Sequence, residues 1–449
     1  MYLKNVVVKN WQSIEKADIN PEPLTVFIGP PNQGKSGVIS AILYFLNYRE
    51  LQENDIRDKD APLEILGIFS EPWAEEKEQL SAFLFEDEIS LKIIKEPGEP
   101  ARYYYFSDKR TWEEADHETY LQIMGFTDTL FVPDISSREQ NERFFLKLIR
   151  MLDKRRYGVR TILENLEETR TFLAEKYVSK GFHRKLILEA LKNVVGEFRK
   201  LGRPFGDGII LFFEEPELYL HPQASKELYE IFQNLTETGF QIFLTTHSSN
   251  FVALKDYKSL CIVRDAGHGT EVFQYKGNLF SGDEIQNFNM NYWINPDRGE
   301  LFFARRVILV EGQTDKIVLG ALAKKIDVYQ YEYSIIECGS KGIIPQFIKL
   351  LNAFSIPYVA VYDKDNHFWR SKEEIENSNS HNRDIRRAIN PKFGRHVEFE
   401  NDIEEEIYNE KRDRKNYKNK PFFALQAVMA EKYVIPQRLR RKIIDIFAS

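Results

Sequence analysis

Gly29-Pro30-Pro31-Asn32-Gln33-Gly34-Lys35-Ser36 follows the apolar run Leu24–Ile28 and opens Ser36–Leu46, whose apolar residues recur at helical spacing. Strand, glycine-rich loop and helix in that order form the setting in which Gly-x-x-x-x-Gly-Lys-Ser cradles phosphate groups. Gly29, Asn32 and Gly34 turn backbone N–H groups toward the anion, and the helix N-terminus adds its dipole. Lys35 reaches the outer phosphates, and the Ser36 hydroxyl ligates the magnesium ion that accompanies them. A nucleoside triphosphate, ATP, is the expected ligand. The plain alternative, a glycine turn with a stray lysine, does not account for the flanking strand and helix.

Three further stretches fit the same ligand. Ile209–Phe213 is a five-residue apolar run that delivers Glu214 and Glu215, followed by Pro216-Glu217. Glu214 is expected to hold Mg²⁺ through water and Glu215 to orient the attacking water, since positioning and charge stabilisation supply most of the rate in phosphoryl transfer. Ile242–Thr246 is a second strand, and it ends in His247, a candidate γ-phosphate contact; a capping or core histidine is the bland reading. Val178-Ser179-Lys180-Gly181 precedes a helix expected over His183–Val194. There Ser179 and the helix N-terminus can meet the γ-phosphate of a second subunit.

A separate acidic set occupies the last third of the chain. Val307–Val310 leads to Glu311-Gly312, with Asp315 opening the next helix, and Val359–Tyr362 leads to Asp363-Lys364-Asp365. Alternation along a strand sends Asp363 and Asp365 from the same face. Such carboxylates suit two divalent ions, Mg²⁺ or Mn²⁺, about 4 Å apart. Phe399–Glu406 adds more carboxylates, of which Glu404 is the favoured ligand and a solvated helix face the alternative.

The chain has 449 residues, 43% hydrophobic and 13% aromatic, enough for two or three domains and against global disorder. Its net charge of −7 makes it no overall polyanion binder, although a local basic footprint stays open. Two cysteines, Cys261 and Cys338, build neither a disulfide framework nor a zinc module of the usual kind. No signal segment and no apolar run near the ~18 residues of a membrane span are visible, so a cytoplasmic protein without a membrane partner is expected. Strands are expected at 3–8, 24–28, 63–69, 82–85, 89–94 and 102–106, giving an antiparallel sheet beside the nucleotide site. Residues 137–176 have helical periodicity and read as a solvated hairpin or dimerisation arm. Strand–helix alternation at 208–265 and again from 305 argues for two α/β units. Residues 277–296 are expected to link them, and 371–384 to be mobile.

Together the phosphate loop, Ser179-x-Gly181, Glu214-Glu215-Pro216-Glu217 with Leu220-His221-Pro222, and Thr245-Thr246-His247 resemble an ABC-type ATPase head of the SMC/RecF-like branch. The resemblance covers residues 1–290 and implies heads that pair with ATP between them, hence a homodimer or higher homo-oligomer. Ser179-Lys180-Gly181-Phe182 departs from the usual signature, and the Q-loop glutamine is open among Gln52, Gln79 and Gln122. Glu311-Gly312 with Asp363-x-Asp365, and Cys338-Gly339-Ser340-Lys341 before a helix, resemble a Toprim domain, here over 300–449. Lys341 has two readings, a phosphate contact or an ordinary exposed lysine.

An ABC-type head followed by Toprim is similar to the OLD (overcoming lysogeny defect) nuclease family. That resemblance implies an α/β ATPase–nuclease that cuts or nicks DNA with divalent metal, in some members as an effector of bacterial anti-phage defence alongside a partner protein. It also implies that a late lysine, Lys420, assists at the scissile phosphate. Basic residues surround it: Lys411, Arg412, Arg414, Lys415 and Lys418, then Arg438, Arg440, Arg441 and Lys442. For the last four a solvated charged tail is the alternative. A topoisomerase would need a tyrosine in a DNA-gate domain that cannot be picked out, and a primase would need zinc ligands. The competing classes are an ATP-driven clamp or sensor with a non-catalytic Toprim part, and a nuclease acting on RNA.

Overall fold

The chain begins with β1 (Leu3–Trp11) and β2 (Ile14–Ile19), an antiparallel pair, and then β3 (Leu24–Ile28). After the helix Lys35–Phe45 come β4 (Leu63–Phe69), β5 (Ile89–Lys95), β6 (Ala101–Phe106) and β7 (Trp112–Ala115), and they extend β1 in antiparallel register. In β4 buried and half-buried residues alternate, the period of a sheet with one packed face. The remaining strands are β8 (Asp128–Val132), β9 (Ile209–Glu214), β10 (Gln241–Thr246), β11 (Leu260–Asp265) and β12 (Thr270–Gln274). Among the described residues these twelve strands form one sheet in the order β7-β6-β5-β4-β1-β2-β12-β11-β3-β10-β9-β8. From β11 to β8 every pairing is parallel. Every residue of β3 and β10 is buried, and so is all of β9 except Glu214. Strands covered on both faces carry apolar runs rather than alternation, which is why their sequences stand out.

This computed structural model describes residues 1–70, 72, 74–134, 137–154, 160–175, 179–201, 208–252, 254–280, 296–411 and 420–448. It divides into two compact units, Met1–Lys276 and Gly277–Ser449. Most of the expected linker 277–296 lies outside the described residues.

One expected strand is absent. The helix Ala74–Leu80 continues as a 3-10 turn over Ser81–Phe83, which takes up Ala82 and Phe83 and leaves Leu84 and Phe85 beyond it. Glu86 and Asp87 follow with left-handed φ of 50° and 63°, so no ladder forms beyond an isolated Phe85–Glu88 bridge. The apolar alternation has a different cause: Phe83 packs edge-on against Tyr105, and Phe85 against Phe106. The helical arm consists of Arg138–Lys154 and Arg160–Glu175, packed on each other, with Phe144, Phe145, Leu148 and Leu152 buried on the first. The helix expected at His183–Val194 is longer, Lys180–Leu201.

In the second unit β13 (Arg306–Val310), β14 (Tyr333–Glu337), β15 (Tyr358–Asp363) and β16 (Gly394–Phe399) form a parallel sheet in the order β14-β13-β15-β16. The helices Gln313–Lys325 and Ile344–Ala353 alternate with these strands. Residues 371–384, expected to be mobile, belong to a regular helix, Lys372–Ala388. Ser371 accepts Glu374 N–H at 3.2 Å and Glu374 reciprocates, and Ser378, Asn382 and Ile385 form the buried stripe. Polar composition concealed a capping box. The basic C-terminal residues lie on the helix Gln437–Phe447, whose Leu439, Ile443, Ile446 and Phe447 enter the core with Val359, Val397 and Phe399. No helix among the described residues is long and apolar enough to cross a membrane.

Candidate functional site

The order β3-β10-β9 carries three loops to one edge, because parallel neighbours end at the same side. After β3, Gly29 has a φ of 150°, and a Cβ there would stand 2.1 Å from Val263 O; only glycine fits. Gly34 caps the helix Lys35–Phe45 at φ 96°, where a Cβ would strike Thr270 Oγ1. Thr270 donates to Gln33 O at 2.9 Å, so β12 pins the loop from behind. Asn32 holds a left-handed φ of 59°. Lys35 is buried and donates to Gly29 O at 3.0 Å and Pro30 O at 2.8 Å. Burial lowers its pKa to about 8, with Glu215 and Glu217 pulling the other way.

After β9 the two carboxylates part. Glu214 accepts from the Ser36 hydroxyl, and burial nevertheless raises its pKa. Glu215 turns to φ 43° and reaches His247, Oε1 to Nε2 3.4 Å. Burial, and then the charge of Lys35, lowers the His247 pKa, with Glu215 pulling the other way. Glu217 anchors the end of β10, accepting Thr246 Oγ1 at 2.6 Å and His247 N–H at 3.0 Å. Ser36, Glu214, Glu215 and His247 thus share one locale with Lys35. Ser179 instead accepts the N–H of Phe182, at the start of the helix Lys180–Leu201. Gln79 and Gln122 are exposed on helices, whereas Gln52 caps the turn Glu53–Asp55.

Sequence reasoning missed Arg184. It is 5% exposed and donates to Pro133 O at 2.7 Å, Asp134 O at 2.9 Å and Glu214 O at 3.2 Å, tying the exits of β8 and β9 together. A buried arginine reached from a distant helix leaves no local spacing signal.

In the second unit Glu311 follows β13 and Asp363 ends β15, neighbours in the sheet. Asp363 N–H donates to Glu311 Oε1 at 2.9 Å. Asp315 caps its helix through Gly312 N–H at 3.1 Å. Burial raises the pKa of Glu311, partly offset by Lys341; Asp363 is raised well above the carboxylate range by burial and then by Glu311, Asp315, Asp402 and Asp365. The expected strand alternation does not place Asp365. β15 stops at Asp363, Asp365 takes φ 61°, and its N–H donates to Asn401 O at 3.0 Å. It joins the cluster through this turn. Lys341 is neither exposed nor turned outward: it is 6% exposed, 2.7 Å from Asp365 Oδ2 and 3.5 Å from Glu311 Oε1, and donates to Asp363 O.

Comparison with known proteins bears on both sites. The family described as Overcoming lysogenization defect protein-like, TOPRIM domain, matches residues 302–365, and the AAA ATPase domain matches 1–96 and 173–252. The OLD nuclease of Thermus scotoductus is 25% identical over 435 residues, covering 81% of this chain and 82% of that one. Over most of its length the chain is similar to OLD nucleases. The Old nuclease of Escherichia phage P2 is 20% identical, covering 81% of this chain and 77% of the relative. An SMC head bound to the C-terminal winged-helix domain of ScpA superposes with a TM-score of 0.42 and 14% identity, covering 64% of this chain and all of that one.

In the second unit the acidic run 400–406 is largely committed. Asp402 caps Glu405 N–H and lies 3.3 Å from His367 Nε2. Glu405 meets His367 Nδ1 at 3.1 Å, and Glu406 pairs with Lys442. Burial would lower the His367 pKa, but Asp402 and Glu405 outweigh it and raise it. Glu404 is buried in the first turn of the helix Ile403–Tyr408. Lys420 opens the helix Lys420–Met429, and its side chain lies outside the described residues, as do Arg412, Arg414, Lys415 and Lys418. Arg438 pairs with Glu400 at 2.8 Å, while Arg440 and Arg441 are exposed. Oxygen donors in a negative, buried cluster fit Mg²⁺ or Mn²⁺. Among the described residues no three such side chains already stand in metal-holding geometry; an ammonium group lies among them.

Proposed function

We propose that this chain is an ATP-binding and ATP-hydrolysing, divalent-metal-dependent DNA endonuclease whose cutting is gated by the nucleotide. The observation that carries the reading is the Glu311–Asp363 contact of 2.9 Å across adjacent parallel strands, in a chain that also holds Lys35, Glu215 and His247 at one strand edge. In the head, Lys35 holds the outer phosphates, Ser36 and Glu214 hold the magnesium ion, and Glu215 aligns water with His247 beside it. Ser179 of one head completes the site of a second, so the working unit is a homodimer or higher homo-oligomer.

In the Toprim unit Glu311 and Asp363 hold the metal, with Asp315 and Glu404 supporting it. The bound ion supplies positive charge to the scissile phosphate and acidifies water. Lys420 neutralises the phosphate as the bond breaks, by family resemblance, and the exposed Arg440 and Arg441 suit a polyanion. A role in anti-phage defence, with a partner protein, rests on family resemblance alone; protection from plaque formation that Asp363→Ala removes would support it.

The test is supercoiled plasmid with Mg²⁺ or Mn²⁺, with and without ATP. Asp363→Ala should abolish nicking and spare ATP hydrolysis, and Lys35→Ala should remove the response to ATP. Equal cleavage by Asp363→Ala overturns the assignment. Cleavage of single-stranded RNA but not plasmid would transfer it to RNA.

A further inference from the structure

Both oxygens of Asp365 face cations that the chain itself provides. Oδ2 accepts Lys341 Nζ at 2.7 Å and the Ser378 hydroxyl at 3.1 Å; Oδ1 lies 2.8 Å from Arg370 Nη2 and 4.0 Å from His367 Nε2. An ammonium group has three protons to donate. Those of Lys341 go to Asp365, to Ser378 Oγ at 2.8 Å and to Asp363 O, while Glu311 Oε1 stands 3.5 Å away. Three separate elements fix this position. The 3-10 turn Lys341–Ile343 presents the lysine, the capped helix Lys372–Ala388 presents Ser378, and the left-handed turn after β15 presents Asp365. Lys341 is buried.

A divalent ion on Asp365 would have to sit beside that ammonium group, where like charges at short range in a buried cluster repel strongly. Glu311 and Asp363, by contrast, meet each other with one ammonium group 3.5 Å from Glu311. We propose that the Toprim centre of this chain takes one divalent ion, on Glu311 and Asp363, and that Lys341, clamped by Asp365 and Ser378, is a fixed counter-cation occupying the place of a second. The inference rests on reading this site as a metal-dependent phosphodiesterase centre, and it replaces the two-ion arrangement expected from the carboxylate pattern. Lys341 is a positioning residue here: it holds Asp365 and the Asp363 backbone, and through them the ligand pair.

Manganese binding to the full-length, nucleotide-free chain, read by electron paramagnetic resonance titration, tests it. Wild type should bind one ion that Glu311→Gln removes, and Lys341→Arg should still bind one. Lys341→Met should bind two, because the released carboxylates accept a second. Asp365→Asn, which does not depend on Lys341→Met folding, should still bind one. Two Glu311-dependent ions in wild type, or the loss of an ion in Asp365→Asn, overturns the counter-cation. An unchanged single ion in a folded Lys341→Met overturns it as well. If wild type binds no Glu311-dependent ion, the metal-centre reading itself fails, a result distinct from the others.

Discussion

His247 Nε2 lies 3.4 Å from Glu215 Oε1, so the exits of two neighbouring parallel strands meet in one polar contact beside Lys35. The pairing puts the imidazole beside a carboxylate at the edge where the phosphate loop ends. Glu215→Gln should lower ATP turnover by about 10²–10³-fold and leave nucleotide binding intact. Steady-state hydrolysis and equilibrium binding of labelled ATP separate the two; parallel losses in both would remove Glu215 from the chemical step.

Lys35 gives a pH signature. Its pKa falls from the ordinary 10.5 to about 8 through burial. Only the ammonium form holds phosphate, so above pH 8 binding must first restore a proton, and affinity should fall up to about tenfold per pH unit. Below pH 8 the curve should be flat, and in Lys35→Arg flat throughout. For stability the sign is opposite in benefit: the unfolded chain holds the proton up to 10.5, so nucleotide-free stability rises between pH 8 and 10.5. Calorimetric titration against pH checks the binding, and thermal unfolding checks the stability.

Removing Arg184 should cost fold as well as function. Arg184→Ala leaves the carbonyls of Pro133, Asp134 and Glu214 without their charged donor, a loss of roughly 2–4 kcal/mol. Urea unfolding measures it, and a change below about 0.5 kcal/mol would deny Arg184 its anchoring role.

Ser371→Ala removes the cap of the helix that carries Ser378 and should destabilise by about 1 kcal/mol. Hydrogen exchange should quicken first at residues 372–378. If protection there is unchanged, the capping box contributes nothing.

Arg440 and Arg441 are exposed on the helix that buries Leu439 and Ile443. If they meet phosphate, each alanine variant should reduce the slope of log affinity against log salt by about 1, equally for unrelated DNA sequences. Ile443→Ala, a core change, should instead cost about 2–5 kcal/mol of stability.

Much of the head is legible because it is local. The phosphate loop needs only a strand, two glycines and a helix start, and β9 and β10 declare themselves as apolar runs ending in Glu214 and Thr246. The second sheet is visible for the same reason, through Val307–Val310 and Val359–Tyr362. Where periodicity misled, other chemistry decided: Phe83 and Phe85 alternate like a strand but pack edge-on from a turn, and Ser371–Ala388 is polar yet capped and helical.

By itself the sequence determined which residue types stand at strand ends, since that is a matter of neighbours along the chain. Only the tertiary structure decided what those ends face. Arg184 reaches Glu214 O across 30 residues, and Lys341 reaches Asp365 across 24 and Ser378 across 37. No spacing rule spans such separations, because the contacts are made by strand order and helix packing. The charge balance of the carboxylate cluster follows from them.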